Sequence, residues 1–582
     1  MTPYLGVETS LTGRRWVGPD AATDRAAQAL SQARDLPPPL AQVLARQGIA
    51  PQDVPAFLSP RLRDLLPDPR SLRDMERAAA RFLRAVSRHE RIAIFADYDV
   101  DGGCSAALLI WWLRDMNRTA TLYVPDRIDE GYGPNPTAMA ALARDHDLIV
   151  CVDCGTLAHE ALQAAGDADV VILDHHQGAE TLPPAHAVVN PNRQDETGTL
   201  GHLCAAAVVF LMLVEAGRQL RGAGTTGPDL MALLDLVALA TVADVVPLSG
   251  VNRALVRQGL AVMARRARPG LTALADCAGL TTPPRADHLG YVLGPRVNAG
   301  GRIGAADLGA RLLATPDIHE AEALAARLER LNSERREIEA AVRAAALAQA
   351  ETRGMDGPLV WAAGEDWHPG VVGIVAARLK EAANRPAVVI GFDGAEGKGS
   401  GRSVPGIDLG AAVQRLAGEG VLVKGGGHAM AAGLTVTRAG LETAMARLAD
   451  LLDRQGSDAT GPRDLRLDGT LMPRAATPDL VRQLETAGPF GAGAPAPRFA
   501  LAGMRVSHAR RVGQAHLKLT VSDGMGTSLE AICFGAFETN LGSALSADVA
   551  GPIHLAGHLE INHWQGRERV QLRVRDAARA GG

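Results

Sequence analysis

The chain has 582 residues, of which 47% are hydrophobic and 21% are charged, and its formal net charge is −5. This length predicts roughly three or four domains, and the composition excludes an intrinsically disordered protein. The negative charge excludes a protein that coats nucleic acid through an overall basic surface, so a nucleic-acid partner would need local basic patches.

Membrane and secreted disulfide-rich classes are excluded by other patterns. No apolar run reaches the ~18 residues that span a bilayer, and the N-terminus lacks the apolar segment of a signal peptide. The six cysteines are scattered and form no disulfide framework. Cys151 and Cys154 form a C-x-x-C inside a strand-like run, where buried thiols are favoured over zinc or redox chemistry. We therefore expect a cytoplasmic protein that does not contact a membrane.

The first 80 or so residues are rich in Pro, Ala and Arg and carry no chemical signal, although helical patches such as 40–47 occur there.

The next stretch, which begins at Arg91, reads R-I-A-I-F-A-D-Y-D-V-D-G-G. Residues 92–95 predict a buried strand and residues 106–113 a helix. Between them lie three acidic residues, Asp97, Asp99 and Asp101. Carboxylates this close repel one another unless cations lie among them, and oxygen ligands suit Mg²⁺ or Mn²⁺. The alternative is a polar turn in which an aspartate caps the helix.

Short β-rich runs then alternate with helical patterns, at residues 120–124, 148–153, 170–174 and 187–190. This alternation is typical of a parallel sheet covered on both faces. Two of the runs end in polar residues with chemical potential: Asp153, Asp174, His175 and His176. Because the carboxyl ends of parallel strands share one edge, we expect these side chains to converge with the first three aspartates. A later helical stretch ends at Asp244, which is either a cap or a further ligand.

Residues 316–353 have helical spacing of apolar residues and alternating charge, which predicts a long helix. This helix either connects two domains or lies on the surface. A second α/β pattern begins near residue 357. It contains two glycine-rich runs, 397–403 and 424–428. Backbone N–H groups of these glycines, together with Arg402, could cradle a phosphate, and tight turns are the alternative.

The last part of the chain predicts a small β-barrel. A turn-rich stretch at 488–497 precedes several short strand patterns separated by turns. Basic side chains in these strands could follow a phosphate backbone, and two aromatic side chains could stack on bases. These residues are His508, Arg510, Arg511, His516, Lys518, Phe534 and Trp564.

Several motifs, in order, resemble those of the DHH phosphoesterases: D-Y-D-V-D-G at 97–102, V-D-C-G at 152–155, D-H-H at 174–176 and A-D-V-V-P-L at 243–248. The D-H-H motif is weak alone, but the ordered set is specific. Further segments are similar to the RecJ group of single-strand-specific exonucleases: P-D-R-I-D-E-G-Y-G at 125–133, G-P-R-V-N-A-G-G-R-I-G at 294–304 and G-G-G-H-A-M-A-A-G at 425–433.

The resemblance implies an α/β fold with a parallel-sheet DHH domain, a connecting helix, a smaller α/β DHH-associated domain and a C-terminal β-barrel of the OB fold. The corresponding division of the chain is an N-terminal segment at 1–80, the catalytic domain at 81–315, the helix at 316–353, the substrate-binding domain at 354–460 and the OB fold at 461–582.

The resemblance also implies a centre of two ions, Mn²⁺ or Mg²⁺, with mixed ligands that tolerate Mn²⁺ better. Asp153 is expected to bridge the ions, and Asp99 to hold one of them. The ligands expected to complete the other site are Asp101, His175 and Asp244. The other three residues are expected to act in catalysis: His176 at the scissile phosphate, Asp174 by orienting the histidines, and Asp97 by orienting or replacing a ligand.

The implied substrate-binding set comes from both α/β domains and consists of Arg127, Arg296, Arg302, Ser400, Arg402, Ser403 and His428. A terminal phosphate held by the glycine-rich domain would favour an exonuclease over an endonuclease. The implied activity is 5′-to-3′ degradation of single-stranded DNA to mononucleotides by a monomer. Expected protein partners are a single-stranded-DNA-binding protein and a RecQ-type helicase.

Two other functions compete with this interpretation. A DHH phosphodiesterase or oligonucleotidase would act on small nucleotides, but such chains are usually shorter and lack the barrel. A binding protein without catalytic activity would have no reason to retain mutually repelling carboxylates.

Overall fold

The computed structural model describes residues 2–126, 130–456, 463–546, 551–564 and 567–580. The chain forms two compact units, the first containing residues 1–66, 247–257 and 462–582 and the second residues 67–246 and 258–461. The sequence-based division separated the N-terminal segment from the C-terminal barrel, whereas the structure groups most of both in one unit. Among the described residues, no helix combines the length and apolar character needed to cross a bilayer.

Helices account for much of the chain, and side-chain caps begin several of them. Asp99, Asn135 and Asp317 each accept hydrogen bonds from backbone N–H groups of the helix that follows. In chain order the helices are Ala21–Arg34, Pro38–Arg46, Val54–Leu58, Leu62–Leu65, Met75–Arg88, Val100–Asp115, Pro136–Asp145, His159–Gln163, Ala205–Gly222, Leu234–Ala243, Gly250–Met263, Pro269–Cys277, Ala286–His288, Gly294–Ile303, Leu308–Ala314, Ile318–Arg353, Pro369–Ala383, Leu409–Gly418, Leu441–Asp453, Pro478–Thr486 and Asn540–Ser546.

A parallel five-stranded sheet lies at the centre of the DHH-like domain. Its strands, in spatial order, are Thr121–Tyr123, Ile92–Ala96, Leu148–Val152, Asp169–Leu173 and Ala187–Val189. The second and third of these are buried at every position. Strands covered on both faces read as continuous apolar runs, which is the pattern that the sequence shows. The predicted parallel sheet is confirmed.

The long helix Ile318–Arg353 has 36 residues, which corresponds to about 54 Å. Its first half packs against helices of the DHH-like domain, including Pro269–Cys277 and Gly294–Ile303. In its second half, Val342, Ala346 and Ala350 share a hydrophobic cluster with the strand and helix that follow it. The helix therefore contacts both α/β domains of the second unit, as expected of a connecting helix.

The second α/β domain is built on a mixed five-stranded sheet, in the order Lys424–His428, Ala431–Thr437, Glu396–Arg402, Ala387–Asp393 and Val360–Glu365. Both glycine-rich runs form strands of this sheet, so the alternative of tight turns is wrong. The strand Glu396–Arg402 pairs with a neighbour on each side. Because a central strand has its backbone groups engaged in the sheet, its glycine N–H groups are unavailable to a phosphate.

The C-terminal strands close into a barrel, as predicted. In spatial order they are Gly469–Thr470, Phe499–Val512, His516–Ser522, Ser528–Cys533, Arg567–Arg579 and Ile553–Trp564, and the long strand Phe499–Val512 also pairs with the last of these. Closure by this additional pairing removes the free edge of the sheet.

The N-terminal segment belongs to the same unit as this barrel. Its strand Arg14–Val17 pairs in parallel with Arg463–Arg466. Trp16 is fully buried, and its Nε1 donates a hydrogen bond of 2.9 Å to Asp576 of the barrel. Thr12 donates a second hydrogen bond of 2.9 Å to the same carboxylate. The first residues therefore stabilise the barrel directly.

Candidate metal centre and phosphate site

Acidic residues and histidines from four separate segments meet at the carboxyl edge of the parallel sheet. Asp97 follows the strand Ile92–Ala96, Asp153 follows Leu148–Val152, and Asp174 follows Asp169–Leu173. Since parallel strands end at one edge, the topology brings these side chains together. Asp244, the C-terminal cap of the helix Leu234–Ala243, joins them from outside the sheet.

His175 lies at the centre of the cluster. Its Nε2 is 3.3 Å from a carboxylate oxygen of Asp153, and 3.7 Å from a carboxylate oxygen of Asp101 and of Asp244. The histidine comes from the D-H-H motif, and the three carboxylates come from the other motifs. The predicted convergence of these residues is therefore present in the structure.

Ligand atoms of three residue groups lie within 4.8 Å of one another, which is the spacing that a shared ion requires. The groups are Asp153, His175 and His176; Asp101, His175 and Asp244; and Asp97, Asp99 and Asp153. Asp153 and His175 each occur in two groups. The set of carboxylate oxygens and imidazole nitrogens suits Mn²⁺, with Mg²⁺ better served by the all-oxygen group.

Asp153 shows most clearly that these residues fit a cation. Its carboxylate is almost fully buried, and among the described residues its Oδ1 has no hydrogen-bond partner, with Nε2 of His175 3.3 Å away. Its backbone has a φ of 60°, an unfavourable conformation for an aspartate outside a turn. A buried, unpaired carboxylate oxygen is costly unless a cation balances it. Strain of this kind concentrates at functional sites.

Backbone amides fix the two neighbouring carboxylates. Asp101 accepts hydrogen bonds of 2.6 and 2.8 Å from the N–H groups of Ala205 and Ala206, at the start of a helix. Asp99 accepts from the N–H groups of Asp101 and Gly102 and so caps its own helix. A Cβ at Gly102 would lie 2.3 Å from the carbonyl oxygen of Asp97, so this position requires glycine. The cap predicted as an alternative to a ligand is thus present together with the cluster.

Burial and mutual repulsion raise the proton affinity of the cluster. Burial, and then the charges of Asp101 and Asp99, raise the pKa of Asp153 far above its ordinary value. The same causes raise the pKa of Asp244 to about 8. Burial is also the main reason that the pKa of Asp101 is raised. The carboxylates therefore need a positive charge among them to be ionised together.

His176 is oriented by Asp174. Its Nδ1 lies 2.8 Å from a carboxylate oxygen of Asp174, whose other oxygen accepts from the hydroxyl of Thr156 at 2.6 Å. Burial lowers the pKa of His176, but the hydrogen bond and charge of Asp174 outweigh it and raise the value to about 9. Burial raises the pKa of Asp174, and the bonds from His176 and Thr156 bring it below its usual range. This is the arrangement expected of a residue that orients a histidine.

Several residues around the site were not predicted. The side-chain amide of Asn190 donates to Thr156 and to the His176 carbonyl, and that of Asn192 donates to the His175 carbonyl. The Tyr132 hydroxyl contacts both His176 and the backbone of Asp153. The two asparagines directly follow the strand Ala187–Val189. The expectation that residues after parallel strands lie at one edge of the sheet, if applied to that strand as well, would have predicted both asparagines.

Three of the predicted substrate residues lie close to the helix Pro369–Ala383. Arg302 donates to the Gly370 carbonyl at 3.0 Å, and a Cβ at Gly370 would lie 2.3 Å from the Arg302 carbonyl oxygen. Arg402 donates to the Ser400 hydroxyl at 2.9 Å. A Cβ at Gly373 would lie 3.1 Å from both Arg402 and Ser400. The first turn of a helix, with arginines beside it, favours an anion.

The other predicted substrate residues are placed differently. Arg296 is paired with Glu329 of the long helix, which gives it a structural partner. Ser403 is buried, and its hydroxyl donates to the Ile407 carbonyl at 2.7 Å. His428 is exposed at the end of an edge strand. Arg127 lies outside the described residues.

On the barrel, Phe534 is half exposed, with the Arg573 guanidinium 5.0 Å from the centre of its ring. His516 meets the same ring edge-on at 5.2 Å. Lys518 is instead paired with Glu530 at 3.0 Å, which reduces its availability to a phosphate. The Trp564 side chain, also predicted to stack on bases, lies outside the described part.

The parallel sheet with its acidic edge, the linked second α/β domain and the barrel define a DHH-type protein of several domains. Family profiles agree: the N-terminal domain of the DHH family matches residues 91–241, the DHHA1 domain residues 356–455 and the RecJ OB domain residues 467–576.

Relatives that match over most of their length show which group within the DHH proteins the chain belongs to. The chain is 38% identical to the single-stranded-DNA-specific exonuclease RecJ of Dickeya dadantii, over 93% of this chain and 96% of that protein. Identity to the RecJ of Escherichia coli is 36%, over 92% and 95%. The crystal structure of Thermus thermophilus RecJ in complex with Mn²⁺ is similar, with a TM-score of 0.79 and 29% identity over 97% of this chain and 79% of that one. The chain belongs to the RecJ family.

Proposed function

We propose that this chain is a single-stranded-DNA-specific exonuclease that hydrolyses phosphodiester bonds from the 5′ end and releases mononucleotides in DNA repair and recombination. The observation that carries the proposal is the acidic cluster, in which Asp153 belongs to two groups of potential ligands and has a buried oxygen without a hydrogen-bond partner among the described residues. Such a carboxylate suits a bridge between two ions.

The residues that would hold the ions divide into two sets. Asp99, with Asp97 beside it, would hold one ion, and Asp153 would bridge both. The second set is Asp101, His175 and Asp244. Bound Mn²⁺ or Mg²⁺ would supply Lewis acidity and an activated water at this edge of the sheet.

Protein groups around the cluster orient the substrate. The hydrogen bond and charge of Asp174 outweigh the effect of burial on the pKa of His176 and favour its protonated form. Its Nδ1 bonds the Asp174 carboxylate at 2.8 Å, which holds the ring where it would face an anionic phosphate oxygen of the scissile group. A donor held by a buried partner costs no reorganisation when charge develops on that oxygen.

The first turn of Pro369–Ala383, with Arg302, Ser400 and Arg402, is proposed to bind the phosphate at the 5′ end. The nucleic acid would then lie between the two α/β domains of the second unit, with its terminus against the second. A site closed at this end admits a strand terminus and excludes an internal segment. His428, Arg127, Arg296 and Ser403 remain proposed contacts, and the last two also have partners within the protein, Glu329 and Ile407.

The barrel is proposed to bind single-stranded DNA away from the scissile bond, through Phe534 and the guanidinium beside it. We further propose a cytoplasmic monomer whose protein partners are a single-stranded-DNA-binding protein and a RecQ-type helicase. These partners rest on the family resemblance alone.

A gel assay on single strands labelled at the 5′ or the 3′ end, with Mn²⁺, tests this function. We expect labelled mononucleotide from the 5′-labelled strand at once, and gradual shortening of the 3′-labelled strand. Cleavage of di- and trinucleotides without cleavage of longer strands would favour the small-nucleotide DHH alternative. Binding without cleavage in any divalent cation would favour a binding protein.

A further inference from the structure

Tyr132 is tied to two members of the metal centre by one hydroxyl group. Its oxygen lies 3.1 Å from the Asp153 carbonyl oxygen and 3.1 Å from Nε2 of His176. The two aromatic rings meet edge-on, with centroids 5.7 Å apart. The tyrosine ring remains about half exposed, so the residue is not simply part of the hydrophobic core.

The hydrogen-bonding chemistry gives this contact a direction. The Asp153 carbonyl can only accept, so it takes the phenolic proton. The phenolic oxygen also lies 3.1 Å from Nε2 and 3.3 Å from Nδ1 of His176, and that Nδ1 bonds Asp174 at 2.8 Å. The Tyr132 hydroxyl therefore contacts both the His176 ring, which Asp174 holds, and the backbone of Asp153.

Asp153, whose carbonyl Tyr132 contacts, has an unfavourable backbone conformation. A φ of 60° at a non-glycine residue persists only where its surroundings hold it. The Asp153 N–H donates to Leu173 of the adjacent strand at 3.0 Å, and its carbonyl accepts from Tyr132. The tyrosine thus contributes to the conformation that aims the carboxylate.

We propose that Tyr132 is a positioning residue, which fixes the His176 ring and the Asp153 backbone in one relative geometry through its hydroxyl group. This inference rests on the proposed function, because the positions of His176 and Asp153 matter to catalysis only if that function is correct. The contacts of Tyr132 with both residues are observed in the structure. Tyr132 lies in the segment between the strand Thr121–Tyr123 and the helix Pro136–Asp145, far in sequence from both residues that it holds.

The test is Tyr132→Phe, which keeps the ring and removes only the hydroxyl. Tyr291→Phe is the matched control, because Tyr291 is 85% exposed. We expect kcat to fall about 10- to 100-fold for Tyr132→Phe with KM within about twofold, as for a small misplacement of a catalytic group. Thermal unfolding of both variants should match that of the wild type.

A readout independent of activity separates this inference from the proposed function. In the full chain labelled with ¹³C-histidine, the His176 ring signals are identified among the 16 histidines by their absence from His176→Gln. We expect them to shift in Tyr132→Phe and to stay in place in Tyr291→Phe. Unchanged His176 signals and unchanged kcat would overturn the proposal. A wild-type protein without nuclease activity would refute the function, while the spectra would still decide the positioning role.

Discussion

The Asp153 carboxylate and the His175 imidazole lie 3.3 Å apart, although they follow two different strands of the parallel sheet. The same imidazole nitrogen is 3.7 Å from Asp101 and from Asp244. No single motif of the chain forms this site. Its ligands become neighbours only when the sheet aligns their strand ends.

Asp153→Asn should abolish turnover more severely than any other single substitution in the cluster. The amide keeps the size of the side chain but cannot balance two cations. Even groups behind metal ligands contribute 10- to 100-fold, so we expect a loss of more than about 100-fold. Mn²⁺-dependent turnover on a labelled single strand measures it, with exposed Asp356→Asn as the control. Near wild-type turnover would contradict the assignment of Asp153 as the bridge.

Arg402→Ala should weaken engagement of a 5′-phosphorylated strand. A charge-assisted hydrogen bond contributes about 1.5–3 kcal/mol, so KM should rise about 10- to 100-fold. KM for a 5′-hydroxyl strand should change much less, and metal affinity should not change. Arg378→Ala, in the same domain but paired with Glu381, is the control. Equal losses on the two strands would reject a phosphate-binding role for Arg402.

Phe534→Ala should weaken binding of long single strands and spare cleavage of very short ones. Stacking on an aromatic side chain contributes about 1–3 kcal/mol per base. Met525→Ala is the control, because Met525 is 69% exposed on the same barrel and offers no aromatic ring. Fluorescence anisotropy with a labelled long strand measures affinity. Equal affinity of the two variants would argue against base stacking at Phe534.

A point variant is a better test of the barrel than its deletion. Removing residues 465–582 would expose the buried Trp16 and remove half of the strand that pairs with Arg14–Val17. The N-terminal segment would then lose its packing partner. Any loss of binding could reflect unfolding and not the loss of a nucleic-acid surface.

His558 should make the barrel less stable at acidic pH. Burial, assisted by nearby arginines, lowers its pKa to about 4, although a hydrogen bond to the Pro497 carbonyl opposes this. Between that value and the ordinary 6.5, the unfolded chain binds a proton that the folded chain does not. The contribution of neutral His558 to the free energy of unfolding is therefore fully present above pH 6.5. This contribution, up to about 3 kcal/mol, is lost as the pH falls toward 4.

Thermal unfolding between pH 7 and pH 4.5 checks the effect of His558. His558→Gln should show a shallower decline of Tm on acidification than the wild type. The exposed His319 provides the control variant, His319→Gln, which should follow the wild-type curve. Parallel curves for all three proteins would show that His558 does not titrate with folding.

Much of the metal site could be predicted from sequence because polar residues that follow parallel strands lie at one edge of the sheet. Asp97, Asp153 and Asp174 follow apolar runs, and parallel strands share an edge. The glycine-rich runs form strands and not the tight turns considered as an alternative, because glycine also occurs in strands and only pairing partners distinguish a strand from a turn. Tyr132 stands in the P-D-R-I-D-E-G-Y-G motif, but the motif did not show its role, which depends on contacts with residues more than 20 positions away.

The N-terminal segment shows the same limit at larger scale. The residues 14–17 were not recognised as a strand, and their partner begins at Arg463, so no local pattern could connect them. Likewise, the burial of Ser403 could not be read from the G-S-G-R-S sequence around it. Local sequence patterns predicted positions that follow from a general rule, such as the shared edge of parallel strands. They did not predict positions that depend on pairing between distant parts of the sequence.

Electron paramagnetic resonance of Mn²⁺ added to the full chain tests the central claim most directly. A carboxylate that bridges two ions should give the exchange-coupled signal of a manganese pair when two equivalents are bound. Asp153→Asn should lose that signal while remaining folded. If the wild type gives only the six-line signal of isolated Mn²⁺, or if Asp153→Asn keeps the coupled signal, Asp153 is not the bridge of a two-metal centre.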